Sequence, residues 1–156
     1  MNTISITIAA NGGYRFTNGT TYVGSWSNGG KMHGEGHLLF PDGTRYDGYF
    51  QNGLFNGLGV LSFVDGSRYE GEFYQGWFHG YGMFWRSDCT RHEGEFRGGK
   101  VYGFGVTTYP DNTSGFPRNE GFFQECHLKR RQNCEEVIQK AQKLAFMARN
   151  KFVTKP

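Results

Sequence analysis

The chain has 156 residues, 25 of them Gly, and carries 15 Phe, 9 Tyr and 3 Trp against 18 Leu, Ile and Val together. Helical bundles and doubly wound α/β enzymes are excluded by that ratio, because they keep Gly out of their elements, where it costs about 0.5–1 kcal/mol relative to Ala. The net charge of +3 divides unevenly, with 9 Lys and Arg against 12 Asp and Glu in residues 1–125 and 8 against 2 in residues 126–156, so an acidic body precedes a basic tail.

No window approaches the roughly 18 apolar residues of a membrane-spanning helix. Met1 to Ala10 also lacks the basic and apolar regions of a secretory leader, so a cytosolic location is expected. Cys89, Cys126 and Cys134 are odd in number and unevenly spaced, which fits free thiols.

In chain order, Ile4, Ile6 and Ile8 alternate and predict an N-terminal capping strand within residues 1–21. Tyr14 to Gly19, YRFTNG, reads as the second half of a unit whose first half is missing. A repeat then takes over. Tyr22 opens YVGSWSNGGKMHGEGHLLFPDGTR, Tyr46 opens YDGYFQNGLFNGLGVLSFVDGSR, Tyr69 opens YEGEFYQGWFHGYGMFWRSDCTR and His92 opens HEGEFRGGKVYGFGVTTYPDN. NEGFF at Asn119 begins half of another copy. The copies from Tyr46, Tyr69 and His92 are 23 residues apart, and residue types alternate within each at the period of a strand.

Each unit predicts two short strands joined by a Gly-bearing loop and closed by a turn such as Asp42-Gly43 or Asp65-Gly66, an antiparallel hairpin. Tyr69, Gly71 and Phe73 share one face and Glu70 and Glu72 the other. Rings at both ends of such a strand can cover the bare Gly between them. The array from 22 to 125 is therefore expected to be an elongated, mainly β, single-layer antiparallel sheet of about five hairpins, stabilised by neighbour contacts.

The succession YxGxF, GxxxG, GxG and aromatic-x-Asp-Gly resembles the MORN repeat (membrane occupation and recognition nexus) from Tyr22 to Phe123. The ending GFPRNEGFFQECHLKRRQNCEEVIQKAQKLAFMARN is similar to short members of that family. The resemblance implies a curved hairpin ladder that binds protein segments without enzymatic activity. It also implies an adaptor for the tail of a class III myosin, concentrated in actin-rich cell projections. This chain departs from the pattern at His92 and Asn119, which replace Tyr, at Cys89, which replaces Gly, and at Arg86, which replaces an aromatic.

Past Leu128 Gly vanishes. Asn133 and Glu136 are placed as a capping-box variant, and Val137, Ala141, Leu144, Ala145 and Ala148 form an apolar stripe, predicting an amphipathic helix from about 134 to 150 within the tail 126–156. A helix of that length is marginal alone, so it is expected to dock on the last hairpin and cap the open end of the sheet.

Two surfaces are candidates for binding. The first joins the rings Tyr46, Phe50, Phe63, Tyr69, Phe73 and Phe96 to acidic rims of Asp47, Glu70, Glu72, Glu93 and Glu95, a groove for a basic and apolar protein segment. The second is the opposite face, with Leu58, Val60, Tyr81, Met83, Phe104 and Val106. An alternative function is a peripheral membrane module in which Lys129, Arg130 and Arg131 meet anionic lipid. The GxG pairs lack the third Gly and helix of a dinucleotide site. His33, His37, His79, His92 and the Cys126-His127 pair lack metal-ligand spacing, and aromatics and basic residues do not interleave as nucleic acid requires. No cofactor, metal site or catalytic residue is expected.

Overall fold

A computed structural model describes residues 7–8, 13–110 and 118–153. Within them twelve strands form one antiparallel sheet in strict chain order. After β1 (Thr7–Ile8) and β2 (Tyr14–Arg15) come five hairpins: β3 (Thr21–Trp26) with β4 (Met32–Leu39), β5 (Arg45–Gln51) with β6 (Leu54–Ser62), β7 (Arg68–Tyr74) with β8 (Trp77–Trp85), β9 (Arg91–Arg97) with β10 (Lys100–Thr108), and β11 (Arg118–Gln124) with β12 (His127–Arg131). The chain ends in helix α1 (Glu135–Phe152).

The two kinds of turn follow from their residues. Within hairpins, Asn52-Gly53 and Gln75-Gly76 occupy left-handed backbone (φ +52 and +84, +48 and +92), the geometry of two-residue hairpin turns. Between hairpins, Thr44 N–H donates to the Asp42 carboxylate and Phe40 N–H to the Thr44 carbonyl, and the same bonds recur at Asp65 with Ser67 and at Asp88 with Thr90. Cys89 takes the Gly position of that turn at φ +73.

Register is set by glycine. Gly48 faces Gly59, Gly59 faces Gly71, Gly71 faces Gly82, and the series continues through Gly94, Gly105 and Gly121. A Cβ at Gly59 would lie 2.5 Å from Tyr46 Oη and one at Gly82 would collide with Tyr69, so the tyrosine ring occupies the space that any other residue would need. The departures at Arg86, Cys89, His92 and Asn119 leave the pairing of their strands intact.

Three expectations are corrected. The half copy at Asn119 is a full hairpin, because Lys129, Arg130 and Arg131 lie on β12, the terminal strand of the sheet, and not in a free tail. Charged side chains there blunt an exposed strand edge. Asn133 does not cap α1. Cys134 is the N-cap and its N–H donates to the Glu120 carboxylate at 2.8 Å. Finally, α1 does not cap the sheet end but folds back across one face, touching β5 to β10. Its buried residues are Ile138, Ala141, Ala145, Ala148 and Phe152, three of them small enough for close approach. The N-terminal strand is present as β1, paired with β2, while Ile4, Ile6 and the insertion at 114–117 lie outside the described residues.

Candidate functional site

The two faces of the sheet are different surfaces built from the same strands. On the ring face, Tyr22, Tyr46, Phe50, Tyr69, Phe73 and Phe96 are at most 4 % exposed. Tyr46 stacks on Phe55 with centroids 3.8 Å apart and meets Phe50 and Phe73 edge-on at 5.0 and 5.1 Å. Tyr69 repeats this with Phe78, Phe73 and Phe96. Each tyrosine thus clamps the Phe of its own hairpin to that of the next. Its hydroxyl donates to a carbonyl three residues on, Tyr46 to Tyr49 and Tyr69 to Glu72. Burial raises the phenol pKa of all three, that of Tyr22 to about 12.

Those rings were expected as exposed anchors, and the structure buries them. Mutual stacking takes the place of a second packed layer. Above them stands a second tier of half-buried side chains, including Phe16, Met32, Phe40, Phe63, Phe84 and Val101. Phe16, Met32 and Phe40 line a cleft of about 680 Å³ over β2 to β8, and Phe84 and Val101 line one of about 530 Å³ over β8 to β12. Of the expected ring anchors only Phe63 belongs to this tier, bordering neither cleft, while the buried Phe96 lines the second. The tier's other members were legible in the sequence as the turn-entry and second-strand slots of every copy.

The acidic rows lie on the opposite face, not beside the rings. There Asp47 pairs with Val60, Val60 with Glu70, Glu70 with Met83 and Met83 with Glu93 across the strands. The carboxylate third along each of β5, β7, β9 and β11 meets the Arg two residues before it: Arg45 with Asp47, Arg68 with Glu70, Arg91 with Glu93 and Arg118 with Glu120. Helix α1 completes the set. Cys134 N–H donates to Glu120, Gln142 to Glu93 at 3.1 Å and Arg149 to Glu70 at 2.5 Å. Two helical turns advance about 11 Å, near the roughly 9.5 Å between successive hairpins, so the helix offers about one partner per repeat. Lys140 lies 4.4 Å over the Tyr81 ring, Lys151 pairs with Glu35, and Phe152 meets Tyr49 edge-on at 5.0 Å.

The remaining expected residues have structural partners too. Glu72 and Glu95 accept the N–H groups of Tyr81 and Phe104, which the bulges in β8 and β10 free from the ladder. Val60, Met83 and Val106, on the second candidate face, are buried, and Leu58, Tyr81 and Phe104 are half-buried. The acidic rows were expected to draw a basic partner. Their basic partner in this structure is the chain's own arginines and helix.

The histidines occupy repeat slots. His33 accepts the N–H of Asn52, and His79 that of Gly98. His37 Nδ1 lies 2.5 Å from Asp47. His92 replaces the clamping tyrosine; its Nδ1 lies 2.8 Å from Thr107 Oγ1, and burial lowers its pKa to about 3. The Cys134 thiol is raised by burial and by the nearby Glu120. Among the described residues no three of His, Cys, Asp and Glu converge as metal ligands, and no helix is long and apolar enough to cross a membrane.

Comparison with known proteins agrees with this architecture. The profile of the MORN repeat matches residues 22–45, 46–68, 69–90 and 92–114. The chain is also 70% identical over 139 residues to the Drosophila melanogaster protein described as MORN repeat-containing protein 4 homolog, covering 89% of this chain and 70% of that one. Both matches are to a non-catalytic repeat family. With glycine-paired hairpins in register and four matched repeats, the chain belongs to the MORN repeat family.

Proposed function

We propose that the protein is a non-enzymatic adaptor that holds an extended segment of a partner protein along the ring face. The observation that carries this reading is the asymmetry of the sheet. Helix α1 occupies the acidic face, whereas the ring face presents half-buried Phe and aliphatic side chains around two clefts with no described element over β5 to β8. Such a tier supplies apolar anchors on a rigid, preformed surface. The resemblance to the family implies a class III myosin tail as the partner and actin-rich projections as the place.

Calorimetry of the full chain with a class III myosin tail fragment tests this. In the Phe40→Asp/Phe63→Asp double variant, binding should fall at least about a hundredfold, the scale of two lost hot-spot contacts, with circular dichroism unchanged. Equal affinity would remove the ring face as the site. The competing reading, a membrane module through Lys129, Arg130 and Arg131, has support in their exposure on β12. Two of them, however, already serve the edge strand: Arg130 donates to Gln132 and Arg131 to Asn119. Co-sedimentation with anionic vesicles that is lost in the Lys129→Ala/Arg130→Ala variant would favour it.

A further inference from the structure

The ring face changes character along the array. At the turn-entry slot successive copies carry Phe16, Phe40 and Phe63, and then Arg86 and Tyr109. The clamping slot carries Tyr22, Tyr46 and Tyr69, and then His92 and Asn119. The inner second-strand slot ends in Thr107 after Leu38, Leu61 and Phe84. All five later residues, Arg86, His92, Thr107, Tyr109 and Asn119, line the single cleft over β8 to β12.

Among the described residues that cleft is bordered by Arg86 and Lys100 and by no Asp or Glu, whereas no charged side chain is among the described residues that line the cleft over β2 to β8. Among the described residues Arg86 has no ion pair, and Lys100 has only the exposed Glu125 at 3.3 Å, a contact worth little. The strand carboxylates of the repeats project from the other face, and the nearest turn carboxylate, Asp88, accepts the Thr90 N–H while its pKa is lowered in part by the Arg86 charge. Within the cleft the polar groups are tied down at its floor, with His92 on Thr107 and the Asn119 amide donating to Tyr109 at 3.1 Å. His92 Nε2, 2.7 Å from where a Cβ of Gly105 would be, has no hydrogen-bond partner among the described residues. A cation at the mouth of an apolar cleft attracts an anion more strongly than one in open water, and Arg grips carboxylate by paired bonds.

Resting on the adaptor reading, we infer that the Arg86 cleft receives an acidic side chain of the bound segment while Phe40 and Phe63 receive its apolar anchors. The partner segment is therefore apolar at one end and acidic at the other, and the pairing fixes its direction along the array. Phe40 and Phe63 lie two hairpins and one hairpin from Arg86. At roughly 9.5 Å per hairpin and about 3.3 Å per extended residue, the acid follows or precedes its apolar anchors by about three to six residues.

The test is selection from a random 12-residue phage-displayed peptide library on the full chain, on Arg86→Phe, and on Phe40→Asp/Phe63→Asp. Phe stands in the same slot at 16, 40 and 63, so Arg86→Phe should fold, and Arg86→Gln removes the charge with less change of shape. The full chain should enrich apolar residues with an Asp or Glu at the stated spacing, and both Arg86 variants should keep the apolar residues and lose the acid. A selected peptide should lose about tenfold in affinity when its acid becomes the amide, and nothing on Arg86→Phe. A pool without acid, a pool enriched in Lys and Arg, or acid enrichment that persists in both Arg86 variants overturns the inference and leaves the adaptor reading standing. Peptides that bind Phe40→Asp/Phe63→Asp as tightly as the full chain overturn both.

Discussion

The ring face and the acidic face are written by alternate residues of the same strands, yet one is sealed by the chain itself and the other is left open. On the acidic face Asp47, Glu70, Glu93 and Glu120 each meet a strand arginine, and three of the four also meet α1 or its N-cap. On the ring face the buried tyrosine clamps carry a second tier that no other described element covers from β5 to β8. In a one-layer sheet every residue is near solvent on one side or the other. A helix on one face supplies the missing layer there, while the opposite face keeps its half-buried side chains uncovered by any described element.

Breaking the glycine register should cost most, because it disturbs both faces. Gly59→Ala places a Cβ 2.5 Å from Tyr46 Oη, and the account expects a loss of about 3 kcal/mol or failure to fold by urea denaturation. Next is the acidic face alone. Glu70, 1 % exposed and shared by Arg68 and Arg149, should cost about 3 kcal/mol when changed to Ala, since two cations lose their partner. Arg149→Ala should cost less, because Arg68 still neutralises Glu70. Equal effects would show that the helix contact carries the whole interaction.

The third prediction concerns the ring face at its irregular end. His92 has a folded pKa of about 3 against 6.5 in the unfolded chain. Between those values the unfolded state binds a proton that the folded state excludes, so stability falls as pH falls through that window and is unaffected above it. His92→Tyr restores the clamp, whose hydroxyl should reach the Glu95 carbonyl as Tyr69 reaches Glu72. It should remove roughly 1 kcal/mol per pH unit of acid sensitivity below pH 6.5, measured by denaturation at pH 7 and pH 5. The smallest effect is at a turn: Cys89→Gly should stabilise by about 1 kcal/mol, because Cys89 holds φ +73 where other copies have Gly.

What the sequence disclosed was periodic and local. Alternation in YEGEF placed Tyr69 and Glu70 on opposite faces, and the structure agrees. The Gly positions announced where rings lie over backbone, and the slots of Cys89, His92 and Asn119 were visible as departures. The arginine preceding each carboxylate was equally periodic, in TRYDG, SRYEG, TRHEG and PRNEG, but its pairing was missed because only the acidic residue was read as a ladder. The course of α1 was not legible, since amphipathic spacing shows that a helix must dock and not where. Only the carboxylate rows, once recognised as facing away from the rings, say where a basic helix with three small buried residues belongs.

Hydroxyl-radical footprinting of the full chain, alone and with a class III myosin tail fragment, reads side chains on the two faces in one measurement. The account predicts new protection at Phe40, Phe63 and Phe84, with Phe146 and Met147 on the outer side of α1 as reactive as before. Protection of Phe146 and Met147, or newly reactive Tyr49 and Tyr81 from a displaced helix, with the ring-face residues unchanged, would contradict it.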